Sequence, residues 1–139
     1  MTVIVCRDGV MAADTAVWMG DILAGHTRKI TRLSDGRLFA AAGVRSQIEG
    51  CLFWLNDGGN APEAVGECEF GALVLAPDGI WRIGHRFELY RNVGDFAVEG
   101  AHDEFLMGAL AAGASAEKAV RLAIIYGRRA GGDVQTERL

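Results

Sequence analysis

Between Val3 and Val98 the apolar residues fall mostly in short runs, and from Asp103 onward they recur every three or four positions. The first pattern predicts strands and the second predicts helices. Val3 and Val5 alternate with Ile4 and Cys6, so the opening strand is apolar on both faces and needs cover on both sides. Asp8-Gly9 is a hairpin turn signal, and Val10 to Ala13 form the return run. Lys29 to Leu33 alternates polar with apolar, Ser34-Asp35-Gly36 turns, and Arg37 to Ala42 completes a second hairpin that ends at Gly43. A helix interrupts over Ser46 to Leu55, with Ile48, Cys51, Leu52 and Leu55 on one face, and Asn56 to Asn60 stops it.

Strands resume at Phe70 to Leu75, turn at Pro77-Asp78-Gly79, and return at Ile80 to Ile83. Phe87 to Tyr90 and Phe96 to Val98 follow. Phe105, Leu106, Ala109 and Leu110 then share a helix face closed by Gly113. Ser115 is a suitable N-cap for a last helix, with Glu117 in its first turn and Ala119, Leu122, Ala123 and Tyr126 at helical spacing. Gly131-Gly132 breaks that helix, and Val134 to Leu139 is a candidate closing edge strand. So many strands with apolar residues on both faces are satisfied by two stacked sheets with helices outside; the pattern alone also permits a generic α+β domain.

Composition narrows the choice of function. The 139 residues suit one domain, with no linker or internal repeat, and can bury about two thirds of the unfolded surface. Half are hydrophobic and 23% charged, which is ordinary globular usage, and 19 glycines suit many tight turns. A net charge of −4 leaves no basic footprint for nucleic acid. Arg128-Arg129 reads as a pair that favours a helix C-terminus. No apolar run is long enough to span a bilayer. Cys6, Cys51 and Cys68 form no CxxC pair, and with no signal peptide the expectation is a reduced, cytoplasmic protein. His26, His85 and His102 lack ligand spacing, so neither metal nor cofactor is expected.

Thr2 follows Met1 directly. Threonine is small enough for the initiator methionine to be trimmed, which would leave a hydroxyl and a free α-amine on one residue. A hydroxyl is a weak nucleophile, and an α-amine of pKa about 7.7–8.0 is a suitable base beside it.

Three stretches carry a resemblance: the opening TVIVCRDGVMAADTAV, the segment GHTRKITRLSDGRLFAAAG, and the two-helix block GALAAGASAEKAVRLA. In that order they resemble the proteasome-like threonine peptidases, the HslV and proteasome β-subunit group of the N-terminal-nucleophile (Ntn) hydrolases. The resemblance implies one domain over residues 1–139 with an α+β, four-layer αββα sandwich of two antiparallel sheets. It implies Thr2 as nucleophile, Asp14 as the family aspartate, Lys29 as the family lysine, and Gly43 as the glycine whose backbone N–H faces the oxyanion. The chemistry is coherent, since an ammonium near the hydroxyl favours the alkoxide and an aspartate holds that ammonium. Each residue also has a plain reading: Asp14 could end a strand, Lys29 could lie solvated on a hairpin, and Gly43 could start a helix.

Two features depart from the family pattern. The expected serine falls on Glu99-Gly100-Ala101, where there is no hydroxyl, and positions 44–69 leave room for a shortened helical hairpin after Gly43. Asp133 lies near an acidic position of the family without a clear match. The leading expectation is a threonine-type peptidase with a polypeptide substrate and a homo-oligomeric state. A separate ATP-dependent unfoldase is implied by resemblance only, because the chain has no GxxxxGK[ST] loop of its own. The alternatives are a catalytically inactive subunit acting as scaffold or partner-binding shell, and an Ntn amidohydrolase acting on small amides. A retained Met1 favours the inactive reading, because the Thr2 nitrogen is then an amide.

Overall fold

The computed structural model describes residues 1–64 and 69–139. In chain order it begins with β1 (Val3–Arg7), β2 (Val10–Asp14), β3 (Ala16–Met19), β4 (Ile22–His26), β5 (Thr31–Arg32) and β6 (Leu38–Ala42). Helix α1 (Arg45–Asp57) precedes β7 (Gly71–Ala76), β8 (Gly79–Ile83), β9 (Leu89–Arg91) and β10 (Phe96–Gly100). Helices α2 (Asp103–Ala111) and α3 (Ala116–Tyr126) then lead to β11 (Val134–Arg138). One antiparallel sheet has the order β10-β1-β2-β11, a second has β5-β6-β7-β8-β9, and β3-β4 is a separate hairpin.

Period-two alternation assigns each side of a strand to a different layer. Val3, Val5, Ala12 and Val98 pack with Leu106 and Leu110 of α2 and with Ala119, Val120 and Ala123 of α3. The intervening residues Ile4, Cys6, Met11, Ala13 and Ala97 meet Leu38, Ala40, Leu73, Leu75 and Ile80 of the second sheet. The far side of that sheet, with Phe39, Ala41, Ala72, Val74 and Ile83, packs on Cys51 of α1 beside Leu33, Phe70 and Phe87. The result is an αββα sandwich of two antiparallel sheets between helices. Both faces of β1 are buried, so its register against β2 is set by the hairpin turn that joins them and not by an apolar–polar contrast.

The Asp8-Gly9 turn has positive φ at both residues (51° and 72°), the geometry of a tight two-residue hairpin. Ser115 caps α3 by accepting from the Lys118 N–H at 3.1 Å. Between β6 and β7 the described residues hold one helix, α1, in keeping with a shortened hairpin.

Other expectations are corrected. The β3-β4 hairpin was not anticipated; it stands apart from both sheets, and Met19 and Ile22 are 72% and 73% exposed, so no core periodicity marks it. The second hairpin begins only at Thr31, which leaves Lys29 and Ile30 outside any strand. Phe87 is not a strand residue. It sits at φ 60° in a turn and packs on Phe70 with ring centroids 4.9 Å apart. On the helices, Tyr126 (75%) and Phe105 (43%) face outward, and Val120 takes the inner position on α3. Cys6 and Cys51 are free and buried, and burial pushes the Cys51 thiol up to about 12 and raises that of Cys6 as well. Both behave as small apolar side chains. Cys68 lies outside the described residues.

Candidate active site

Asp14 ends β2, opposite Val134 of β11, and its carboxylate is completely buried. A buried carboxylate is costly unless its oxygens are compensated. Here Oδ1 accepts from the Val3 N–H at 3.0 Å and from Lys29 Nζ at 2.8 Å. Oδ2 accepts from the Gly131 N–H at 3.2 Å. The start of β1, the segment after β4 and the loop before β11 therefore meet on one carboxylate.

Lys29 has 9% of its side chain exposed, and its ammonium also reaches the Met1 carbonyl oxygen at 3.3 Å. Burial lowers its pKa below the ordinary lysine value, and the charge and hydrogen bond of Asp14 work in the opposite direction without cancelling it. Lys29 thus releases its proton more readily than an exposed lysine, and Asp14 opposes that release.

Thr2 sits immediately before β1, and its carbonyl oxygen accepts from the Ala101 N–H at 2.8 Å. Met1, Thr2, Lys29 and Gly43 line one cleft of about 630 Å³, bounded by the β3-β4 hairpin and by Ile48 and Leu52 of α1. Three of the four residues singled out from the sequence thus share a cavity, and the fourth, Asp14, is bonded to Lys29 from behind. Met1 is half-exposed, and its Sδ lies 3.5 Å from Arg129 Nη1. Its amine is lowered by burial first, then by the Lys29 charge.

Gly43 has φ 148°, and a Cβ there would lie 3.0 Å from Phe70 Cδ2 and 3.1 Å from the Glu69 carbonyl oxygen. The backbone itself therefore requires glycine, whatever chemistry it serves.

Gly100 stands where the family pattern has serine. It has φ 95°, and a Cβ on it would collide with the Thr2 carbonyl oxygen. Beside it, Glu99 pairs with Arg82 at 3.2 Å between the sheets, and burial raises the Glu99 pKa. Gly100→Ser is therefore expected to displace the N-terminal strand rather than supply a hydroxyl. We expect a loss of about 2 kcal/mol or more in urea unfolding, with no gain in any Thr2-dependent activity. A folded, more active Gly100→Ser protein would contradict this geometry.

Asp133 is exposed, and it is its backbone N–H, not its carboxylate, that joins the loop to Thr15 Oγ1 at 2.9 Å. Arg129 does not act at a helix end; it pairs with Asp21 in the β3-β4 turn. Two residues of the site's support, Gly131 and Gln135, were not anticipated. The Gly131-Gly132 pair reads as a helix breaker, and one glutamine in an edge strand has no periodic signal. Among the described residues no group of three or more His, Cys, Asp or Glu is placed to hold a metal, and no helix is long and apolar enough to cross a membrane.

No family model matches the chain, and no curated protein matches its sequence. Solved structures do match. Thiobacillus denitrificans BPH superposes with a TM-score of 0.71 at 19% identity, covering 99% of this chain and 96% of that one. The same protein in complex with Epoxomicin gives 0.69 at 18% identity, covering 99% and 97%. HslV from Trypanosoma brucei gives 0.68 at 19% identity, covering 100% of both chains. At such identities the likeness is one of architecture, and it spans 96% or more of each chain: this protein has the proteasome-like Ntn-hydrolase fold shared by HslV and BPH.

Proposed function

We propose that the protein is a threonine-type peptidase that works through Thr2 once Met1 has been removed. The observation that carries this reading is the single cleft lined by Thr2, Lys29 and Gly43, with Asp14 buried behind Lys29. Thr2 Oγ attacks the peptide carbonyl carbon while the freed α-amine takes the hydroxyl proton. The Gly43 N–H faces the developing oxyanion, a donor of a kind that contributes roughly 2.7–4 kcal/mol to transition-state stabilisation. The tetrahedral species collapses to an ester on Thr2, the ammonium returns its proton to the departing amine, and water then hydrolyses the ester. Lys29, charged and close to the N-terminus, lowers the amine pKa and favours the alkoxide.

The test compares protein trimmed to Thr2 with protein that retains Met1, each verified by mass spectrometry, on fluorogenic peptides. Cleavage confined to the trimmed form, and blocked by Epoxomicin, supports the proposal. Equal rates in both forms contradict it. The rival reading, an inactive proteasome-like scaffold, draws on Gly100 in place of serine and predicts no turnover in either form. A homo-oligomer and a separate unfoldase belong to the proposal too. Apolar side chains left at the surface, Phe53 and Tyr126 among them, are of the kind that subunit contacts cover.

A further inference from the structure

Lys29 and Ile30 belong to no strand, yet Ile30 is buried, so their backbone groups must find partners outside a sheet ladder. The partners come from one side chain. Gln135 on β11 is itself buried. Its Oε1 accepts from the Lys29 N–H at 2.7 Å and from the Ile30 N–H at 3.1 Å. Its Nε2 donates to the Ile30 carbonyl oxygen at 3.1 Å. The carboxamide offers an acceptor and a donor with the spacing of a peptide unit, and so stands in for a missing neighbouring strand. Gln135 pairs with Ala13, one residue from Asp14, and Gly131 in the approach to β11 donates to Asp14. The backbone of the lysine and the carboxylate that holds its ammonium are therefore referenced to the same stretch of chain.

We propose that Gln135 is a positioning residue, whose side-chain amide fixes the backbone of Lys29 so that its ammonium meets Asp14 at the cleft that Thr2 also lines. The inference rests on the peptidase reading for its consequence in turnover, but not for the clamp itself. No neighbouring residue duplicates these three bonds among the described residues. Gln135→Leu preserves the bulk and removes all three. Gln135→Glu keeps both acceptor bonds and replaces the donor with an oxygen facing the Ile30 carbonyl.

Two measurements test it. The first is the rate of acetylation of Lys29 by a succinimidyl acetate, relative to exposed Lys118, the only other lysine. We expect Gln135→Leu to raise that ratio about tenfold, through loss of local protection, with Gln135→Glu in between. The second is peptide turnover of the trimmed protein. Here kcat is expected to fall about 10–100-fold in Gln135→Leu with KM within about twofold, because geometry at the nucleophile and not substrate binding is disturbed. In a Lys29→Ala background the same substitution is expected to cost less than about twofold, since the two residues act as one unit. Unchanged Lys29 labelling, or an equal loss in the Lys29→Ala background, overturns the inference. Faster labelling in a parent that cleaves nothing leaves the clamp standing and removes the peptidase reading instead. Should Gln135→Leu fail to fold, Gln135→Glu carries the same comparisons.

Discussion

Thr2→Ala in the trimmed protein is expected to lower kcat/KM for peptide cleavage by at least about a thousandfold, with the fold unaltered. The substitution removes the one hydroxyl that the proposed mechanism uses and leaves the α-amine, Lys29, Asp14 and Gly43 in place. Structurally it should be quiet. The contact that anchors residue 2 is its carbonyl oxygen on the Ala101 N–H, and alanine keeps it. Matched melting temperatures with lost turnover are therefore the expected pair of results. Thr2→Ser, which retains a hydroxyl, should keep a measurable part of the rate. Cleavage that survives Thr2→Ala would place the nucleophile elsewhere and remove the peptidase reading.

The largest effect on stability is expected at Asp14. Asp14→Ala removes the counter-ion of a lysine with 9% of its side chain exposed, and it leaves the Val3 and Gly131 N–H groups without their acceptor. Breaking a buried pair by deleting one partner costs about 3–5 kcal/mol, much of it for the charge left behind. Urea denaturation at neutral pH should show a loss of that order, and Lys29→Met, which leaves a carboxylate with two donors, a smaller one. The pH dependence has a definite sign. Burial already lowers the Lys29 pKa from 10.5, and without Asp14 nothing from the carboxylate offsets that burial. The folded mutant then binds fewer protons than the unfolded chain between the lowered value and 10.5, so its stability rises with pH across that window. A mutant penalty that stays flat, or grows, on the way to pH 10 would mean that Lys29 had moved into water or that the pair carries little of the fold.

Much of this arrangement could be read from residue order alone. Val3-Ile4-Val5-Cys6 is apolar at every position, which calls for cover on both faces of a strand, and the second sheet on one side and α2 and α3 on the other supply it. Asp8-Gly9 fixes the hairpin that brings Asp14 back beside Val3. No periodic pattern marks the β3-β4 hairpin, because Met19, Ile22 and Leu23 face outward. Phe87 reads as a strand residue because a turn geometry that few aromatic residues adopt still leaves its ring in the core. By its alternation Lys29 starts a strand, whereas in the structure its backbone is supported by a side-chain amide from β11. A contact of that sort depends on how sheets are stacked and not on local spacing. Gly100 was legible as a missing hydroxyl, but the reason that no side chain fits there is the Thr2 carbonyl, visible only in three dimensions.

The buttressing of Asp14 and Lys29 bears on how the protein folds. Thr2, Asp14 and Lys29 lie close together in the chain, whereas Gly131 and Gln135, which brace them, are more than a hundred positions away. Loops of that length close late, because their entropy must be met before the contact contributes anything. A partly folded chain would therefore carry the reactive groups without their alignment. In a refolding experiment, recovery of a competent site should follow the slowest global phase and not the early formation of the first hairpin.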